Sequence, residues 1–164
     1  MKQFLVSINI FAMVLLCSEV FSQPVFQPSK TIKYNMQIDA RNKQLSGMLI
    51  VREVDNGTRI VGISYMGPTI FDYTITPDSL IVNSSFAPLK RKSVEQLLSR
   101  DLSVVFIDEN LAKLKKEYSG RRVRKCGHCV SKSLFYISYN DGINNQVLIK
   151  HPFIKLSFTI EPIK

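Results

Sequence analysis

Thr58-Arg59-Ile60-Val61-Gly62-Ile63-Ser64-Tyr65-Met66-Gly67-Pro68-Thr69-Ile70-Phe71-Asp72-Tyr73-Thr74-Ile75-Thr76 is the stretch whose reading decides the fold. In its second half Phe71, Tyr73 and Ile75 share one face, while Asp72, Thr74 and Thr76 share the other. A period of two is the signature of a half-buried strand. Met66-Gly67-Pro68-Thr69 reads as the turn between two such strands, because Gly and Pro supply the unusual or fixed backbone angles a turn requires. Met66 is a large apolar side chain at a hairpin tip, where there is no core to reach.

The same alternation extends on both sides. Ile32, Tyr34, Met36 and Ile38 alternate with polar residues and predict a first strand. Leu45–Val54 predicts a second, with Gly47 marking a bulge or bend inside it. Asp55-Asn56-Gly57 is a tight hairpin signal leading into Thr58. After the turn at Pro77-Asp78, Ser79–Ser84 predicts a fifth strand. Later strands are expected at Arg121–Lys125, Lys132–Tyr139, Gln146–Lys150 and Phe153–Ile160, with a further hairpin turn at Asn140-Asp141-Gly142. About nine strands are expected in all.

One segment breaks the pattern. Val94, Leu97, Leu98, Leu102 and Val105 recur at helical spacing, and Ser93 with Gln96 forms a capping-box pair. An amphipathic helix over Ser93–Phe106 is predicted, followed by a second short, lysine-rich helix over Asp108–Glu117. The expected fold is therefore mainly β with an inserted helix. It is an antiparallel, unclosed half-barrel with an amphipathic helical lid over its apolar concave face.

At 164 residues the chain holds one domain. Its start, Met1-Lys2-Gln3 and then the apolar run Phe4–Leu16, has the layout of a secretory signal ending near Ser22. The apolar run is shorter than the roughly 20 residues a membrane-spanning helix needs. Residues 1–22 are expected to be the signal, 23–30 a linker with two prolines, and 31–164 the folded domain. Leu16 stands before Cys17, where a bacterial lipoprotein signal needs a small residue, so export without a lipid anchor is expected. The net charge is +9 and remains +9 without Met1–Ser22. The cations gather in Lys90-Arg91-Lys92, Lys113–Lys116 and Arg121–Lys125. Outside the cytosol such a surface points to anionic headgroups or polysaccharide, and not to nucleic acid.

Tyr65-Met66-Gly67-Pro68 between two strands, then Leu80-Ile81-Val82, then the amphipathic stretch Val94–Phe106, resembles the lipoprotein-localisation factors of Gram-negative envelopes, the LolA/LolB superfamily. The order of elements is similar over roughly Ile32–Ile163. The resemblance implies an unclosed barrel whose cavity shelters the acyl chain of a lipid or lipoprotein, in a periplasmic protein associated with the outer membrane. Phe71, Tyr73, Ile75, Phe135, Ile137, Leu156 and Phe158, with Leu97, Leu98 and Leu102 of the helix, would line that cavity. Met66 would take the place of the protruding apolar residue with which the LolB-like receptor branch meets the membrane. The expected absence of a lipid anchor departs from that branch.

Cys126-Gly127-His128-Cys129 matches the active dipeptide arrangement of disulfide isomerases, but a strand and not a helix follows it. A structural disulfide between Cys126 and Cys129 is expected, with thiol–disulfide exchange as the alternative, since the basic run Arg121–Lys125 would favour a thiolate. A non-catalytic envelope protein with a basic, anion-binding face is a further alternative. No nucleophile elbow, zinc-protease motif or phosphate-cradling glycine loop occurs. No catalytic residue, metal ligand or cofactor is expected.

Overall fold

Alternating apolar and polar residues place most of the described residues in ten antiparallel strands joined by tight turns. The structure, a computed structural model, describes residues 31–40 and 43–163. The expected signal and linker lie outside the described residues. The strands are β1 (Thr31–Ala40), β2 (Lys43–Val54), β3 (Gly57–Ser64), β4 (Thr69–Ile75) and β5 (Leu80–Ser85). After the helix α1 (Lys92–Phe106) come β6 (Lys113–Tyr118), β7 (Arg121–Cys126), β8 (Ser133–Asn140), β9 (Ile143–His151) and β10 (Leu156–Pro162). They form one sheet in the order β5-β4-β3-β2-β1-β10-β9-β8-β7-β6. The edges β5 and β6 do not pair with each other, so the sheet stays unclosed. α1 is the connection that carries the chain from one edge to the other.

Register keeps one set of side chains on a common face. Met36 stands opposite Gly47 and Ile160, Tyr73 opposite Ile60 and Val82, and Phe135 opposite Ile149 and Arg124. Tyr34, Leu49, Val51, Ile60, Phe71, Tyr73, Ile137, Val147, Phe158 and Ile160 join Leu98, Leu102, Val105 and Phe106 of α1 in one core cluster. Leu98, Leu102 and Val105 recur every three or four residues and so occupy one stripe of α1, which Val104 and Phe106 widen at its end. The Phe106 ring lies 5.3 Å from that of Tyr34, in the middle of the sheet.

Several expectations are corrected. There are ten strands, and the additional one is β6: Asp108–Glu117 is no helix but a 3₁₀ turn, Glu109–Leu111, running into a strand. Asp108 accepts the Asn110 N–H and closes the turn, and the exposed β7 edge then offers backbone partners. Lys113-Leu114-Lys115-Lys116 lacks the apolar stripe that would hold a helix down, and its lysines suit an edge strand that must not attract another chain. The cap of α1 is Arg91, without a side-chain hydrogen bond, so Ser93 and Gln96 form no capping box. Gly47 marks no bulge, since register is continuous on both of its sides. The irregularities fall elsewhere, one of them at Gly62/Ile63. Phe153 sits in a turn ahead of β10 and is exposed.

On the outward face Asp72 of β4 meets Arg59 of β3 through two hydrogen bonds, one of 2.9 Å from Nε, and accepts a third from Asn83. The Arg59 hydrogen bonds hold the Asp72 carboxyl below its ordinary range against the opposing effect of burial. A carboxyl depressed by folding contributes stability above its unfolded pKa and loses it as pH falls through the folded value. Stability is therefore expected to fall below about pH 4. Asp72→Asn should flatten that part of a urea-midpoint-against-pH curve and leave the neutral region parallel. An unchanged acid limb would show the pair to be inert.

Candidate functional site

The expected cavity residues come together, but as packing. Phe71, Tyr73, Leu98, Leu102, Phe135, Ile137 and Phe158 lie in the core cluster with almost no exposure, and Ile75 joins them. The Phe71 and Tyr73 rings stack with centroids 5.1 Å apart. Leu97 is also buried, and Leu156 is half-buried. An open groove of about 660 Å³, which of these residues only Leu156 lines, lies largely on the outward face around Tyr136, Lys150 and Ser157.

Met66 stands clear of this core at 89% exposure. Its turn is rigidly built: Ser64 N–H donates to the Pro68 carbonyl (3.0 Å), Gly67 N–H to the Ser64 carbonyl (2.8 Å), and Met66 N–H to Ser64 Oγ (3.1 Å). Tyr65 is tied back to β1 and β2 by its hydroxyl on Asn35 (2.7 Å) and its N–H on Ser46. Gly67 has φ of 106°, which L side chains rarely adopt, and this sends the chain back without folding Met66 beneath it. An ordered turn thus presents an apolar tip to its surroundings.

The expected disulfide is not formed. Cys126 faces inward opposite Ser133 and is buried, whereas Cys129 is exposed on the turn before β8. Burial raises the Cys126 thiol above its ordinary pKa; Arg100 pulls the other way but does not prevail. The basic run therefore produces no thiolate there, because a desolvated thiol favours its neutral form. Alkylation at neutral pH should modify Cys129 quickly and Cys126 only slowly, as read by mass spectrometry of partial digests. Faster reaction at Cys126 would restore the redox alternative.

The turn carries a different function in the fold. A Cβ at Gly127 would lie 2.6 Å from a guanidinium nitrogen of Arg100, so the missing side chain leaves room for that group. Arg100 Nη2 donates to the Ser131 carbonyl (2.7 Å) and to Ser133 Oγ (2.6 Å), and meets Asp101 Oδ1 at 3.1 Å. Ser133 Oγ donates to Asp101 Oδ1 at 2.8 Å and lies 3.3 Å from His151 Nδ1. His151 Nε2 approaches Asp101 Oδ2 at 3.1 Å, a charge contact when the ring is protonated but not a directed hydrogen bond.

These are the residue types of a hydrolytic triad in a closed, structural arrangement. The Ser133 hydroxyl gives its proton to the carboxylate and is fully buried, so it is not presented as a nucleophile. The cluster instead fastens the middle of α1 to β8 and β9. The signals were present in the sequence. Ser133 continues the alternation of Phe135 and Ile137, His151 continues that of Val147 and Ile149, and Asp101 interrupts the apolar stripe of α1.

The basic run also divides by face. Arg122 and Arg124 turn inward toward Glu109, Arg124 at 3.2 Å, while Arg121 and Lys125 stay outward. Arg121 and Lys150 both lie over the Tyr136 ring, at 6.0 and 5.5 Å. Among the described residues no group of three or more His, Cys, Asp or Glu could hold a metal ion, and no helix is long and apolar enough to cross a membrane. No protein-family model matches the chain, and no curated protein matches it.

Proposed function

We propose that this protein is a non-catalytic, LolB-like lipid carrier of the cell envelope that shelters an acyl chain against the inward face of its sheet and delivers it to a membrane. The observation that carries the reading is the pairing of an unclosed sheet with a rigid hairpin presenting Met66 to its surroundings. An exported protein in the periplasm, near the outer membrane, is the setting this reading requires.

The inward face is filled by α1, so sheltering requires the helix to withdraw and the acyl chain to take its place against Phe71, Tyr73, Phe135 and Phe158. Each buried CH₂ would then contribute roughly 0.8 kcal/mol. No strand ladder has to break, because β5 and β6 are unpaired with each other and α1 alone links them. The buried cluster around Asp101 opposes the movement and holds the empty carrier shut. Return of α1 would expel the chain where Met66 meets the bilayer.

Solvent extraction of the purified protein, followed by mass spectrometry, should recover bound lipid. A chain that carries none and also fails to bind a fluorescent fatty acid does not have this function.

A further inference from the structure

The antiparallel order sorts the turns of the sheet onto two ends, and the ends differ in chemistry. At one end lie the turns β2–β3, β4–β5, β6–β7 and β8–β9. They contribute exposed Asp55, Asp78 and Asp141; Asp55-Asn56, Thr76–Ser79 and Asp141-Gly142 hold no Lys or Arg, and the exposed Arg121 follows the β6–β7 turn. The opposite end carries the turns β3–β4, β7–β8 and β9–β10 and the exit from β5 toward α1.

Each of these four places holds a large exposed apolar residue: Met66, Val130, Phe153 and Phe86. Cations stand beside them, Lys90 and Arg91 after Phe86, Lys132 after Val130 and Lys155 after Phe153. The one further described crossing at this end, Asp108–Ala112, contains two carboxylates. Both are engaged, Asp108 by the Asn110 N–H and Glu109 by Arg124. Along the sheet β3 and β10 are three strands apart, about 15 Å at roughly 4.8 Å per strand. The apolar tips are therefore spread over a broad rim and cannot cover one another.

We infer that this whole rim, and not the Met66 hairpin alone, is a docking surface for an anionic lipid bilayer. Apolar tips enter the boundary between headgroups and acyl chains, and the neighbouring cations pair with the lipid phosphates. The acidic turns at the far end are repelled by the same surface, so the sheet docks end-on with one orientation. An acidic protein would satisfy the cations, but it would leave four separated apolar tips without a continuous apolar layer to enter. Docking does not depend on the acyl-chain reading, since it needs no movement of α1.

The test is co-sedimentation of the purified protein with vesicles of phosphatidylcholine alone or with roughly one-third phosphatidylglycerol. Binding is expected only to the anionic vesicles and should weaken steeply with salt. Phe153→Ser with Val130→Ser should reduce affinity at least tenfold although Met66 is intact. Lys132→Gln and Lys155→Gln should each reduce it roughly fivefold. Ile143→Ser, an exposed apolar residue at the acidic end, is the control and should change nothing. All but the half-buried Lys132 are exposed positions, and an unchanged thermal midpoint confirms the fold. Equal binding to both vesicle types, equal loss with Ile143→Ser, or capture by a soluble acidic protein with no vesicle binding overturns the proposal. Loss of docking with fatty-acid binding retained leaves the carrier reading standing, and the converse leaves the rim standing.

Discussion

Asp101→Ala is expected to lower the unfolding free energy by about 3–5 kcal/mol, the usual consequence of removing one partner from a buried charged pair. The Asp101 side chain is 1% exposed, but the Arg100 left behind is 26% exposed and partly screened by solvent, so the lower end of that range is expected. Its loss would leave the Ser133 hydroxyl without its acceptor and His151 facing an empty carboxylate position, while Arg100 would keep only Ser131 and Ser133. Urea denaturation should show a lower midpoint with an unchanged slope. Asp101→Asn retains the volume and one acceptor and should lose less. If Asp101→Ala costs under about 0.5 kcal/mol, the size of an ordinary surface substitution, the cluster does not fasten α1. Should the variant prove too unstable to purify, Ser133→Ala gives the same comparison with a smaller loss.

A second large effect is expected at Gly47. A Cβ there would lie 2.1 Å from the Ile63 carbonyl oxygen and 3.0 Å from the Met36 methyl. The methyl can move, but the carbonyl belongs to the β3 backbone and cannot move without disturbing the ladder. Gly47→Ala should cost about 3 kcal/mol, at the upper end for overpacking. Gly142→Ala, whose Cβ meets nothing within 4 Å, tests turn conformation alone and should cost less. Equal losses at the two positions would show that backbone conformation, and not the close approach of β3, accounts for Gly47.

The physical reason some features were legible and others not lies in the range of the interactions. Phe71, Tyr73 and Ile75, or Phe135 and Ile137, declare their common face within a few residues, because strand periodicity is local. β6 was misread because a short, lysine-rich segment has no dominant face, and only the neighbouring β7 edge makes it a strand. Gly47 signalled something special locally, but the close approach of the Ile63 carbonyl belongs to the packing of β2 against β3. Ser93 and Gln96 matched a capping pattern, yet the cap of α1 is Arg91, two residues too early for it. The cysteine motif misled because its chemistry depends on surroundings: burial and Arg100, both distant in sequence, determine the state of Cys126.

The sequence by itself determined the antiparallel meander, the inserted amphipathic helix, the hairpin tip at Met66 and most inward-facing residues, since each follows from periodicity or turn chemistry over a few positions. The tertiary structure bore out the expected unclosed sheet, and it alone decided that β5 and β6 are its edges, that Leu98, Leu102, Val105 and Phe106 of α1 join the core cluster, and that Asp101, Ser133 and His151 meet. It also decided which turns share an end of the sheet. Those outcomes depend on contacts between residues tens of positions apart, where no local pattern constrains distance or direction.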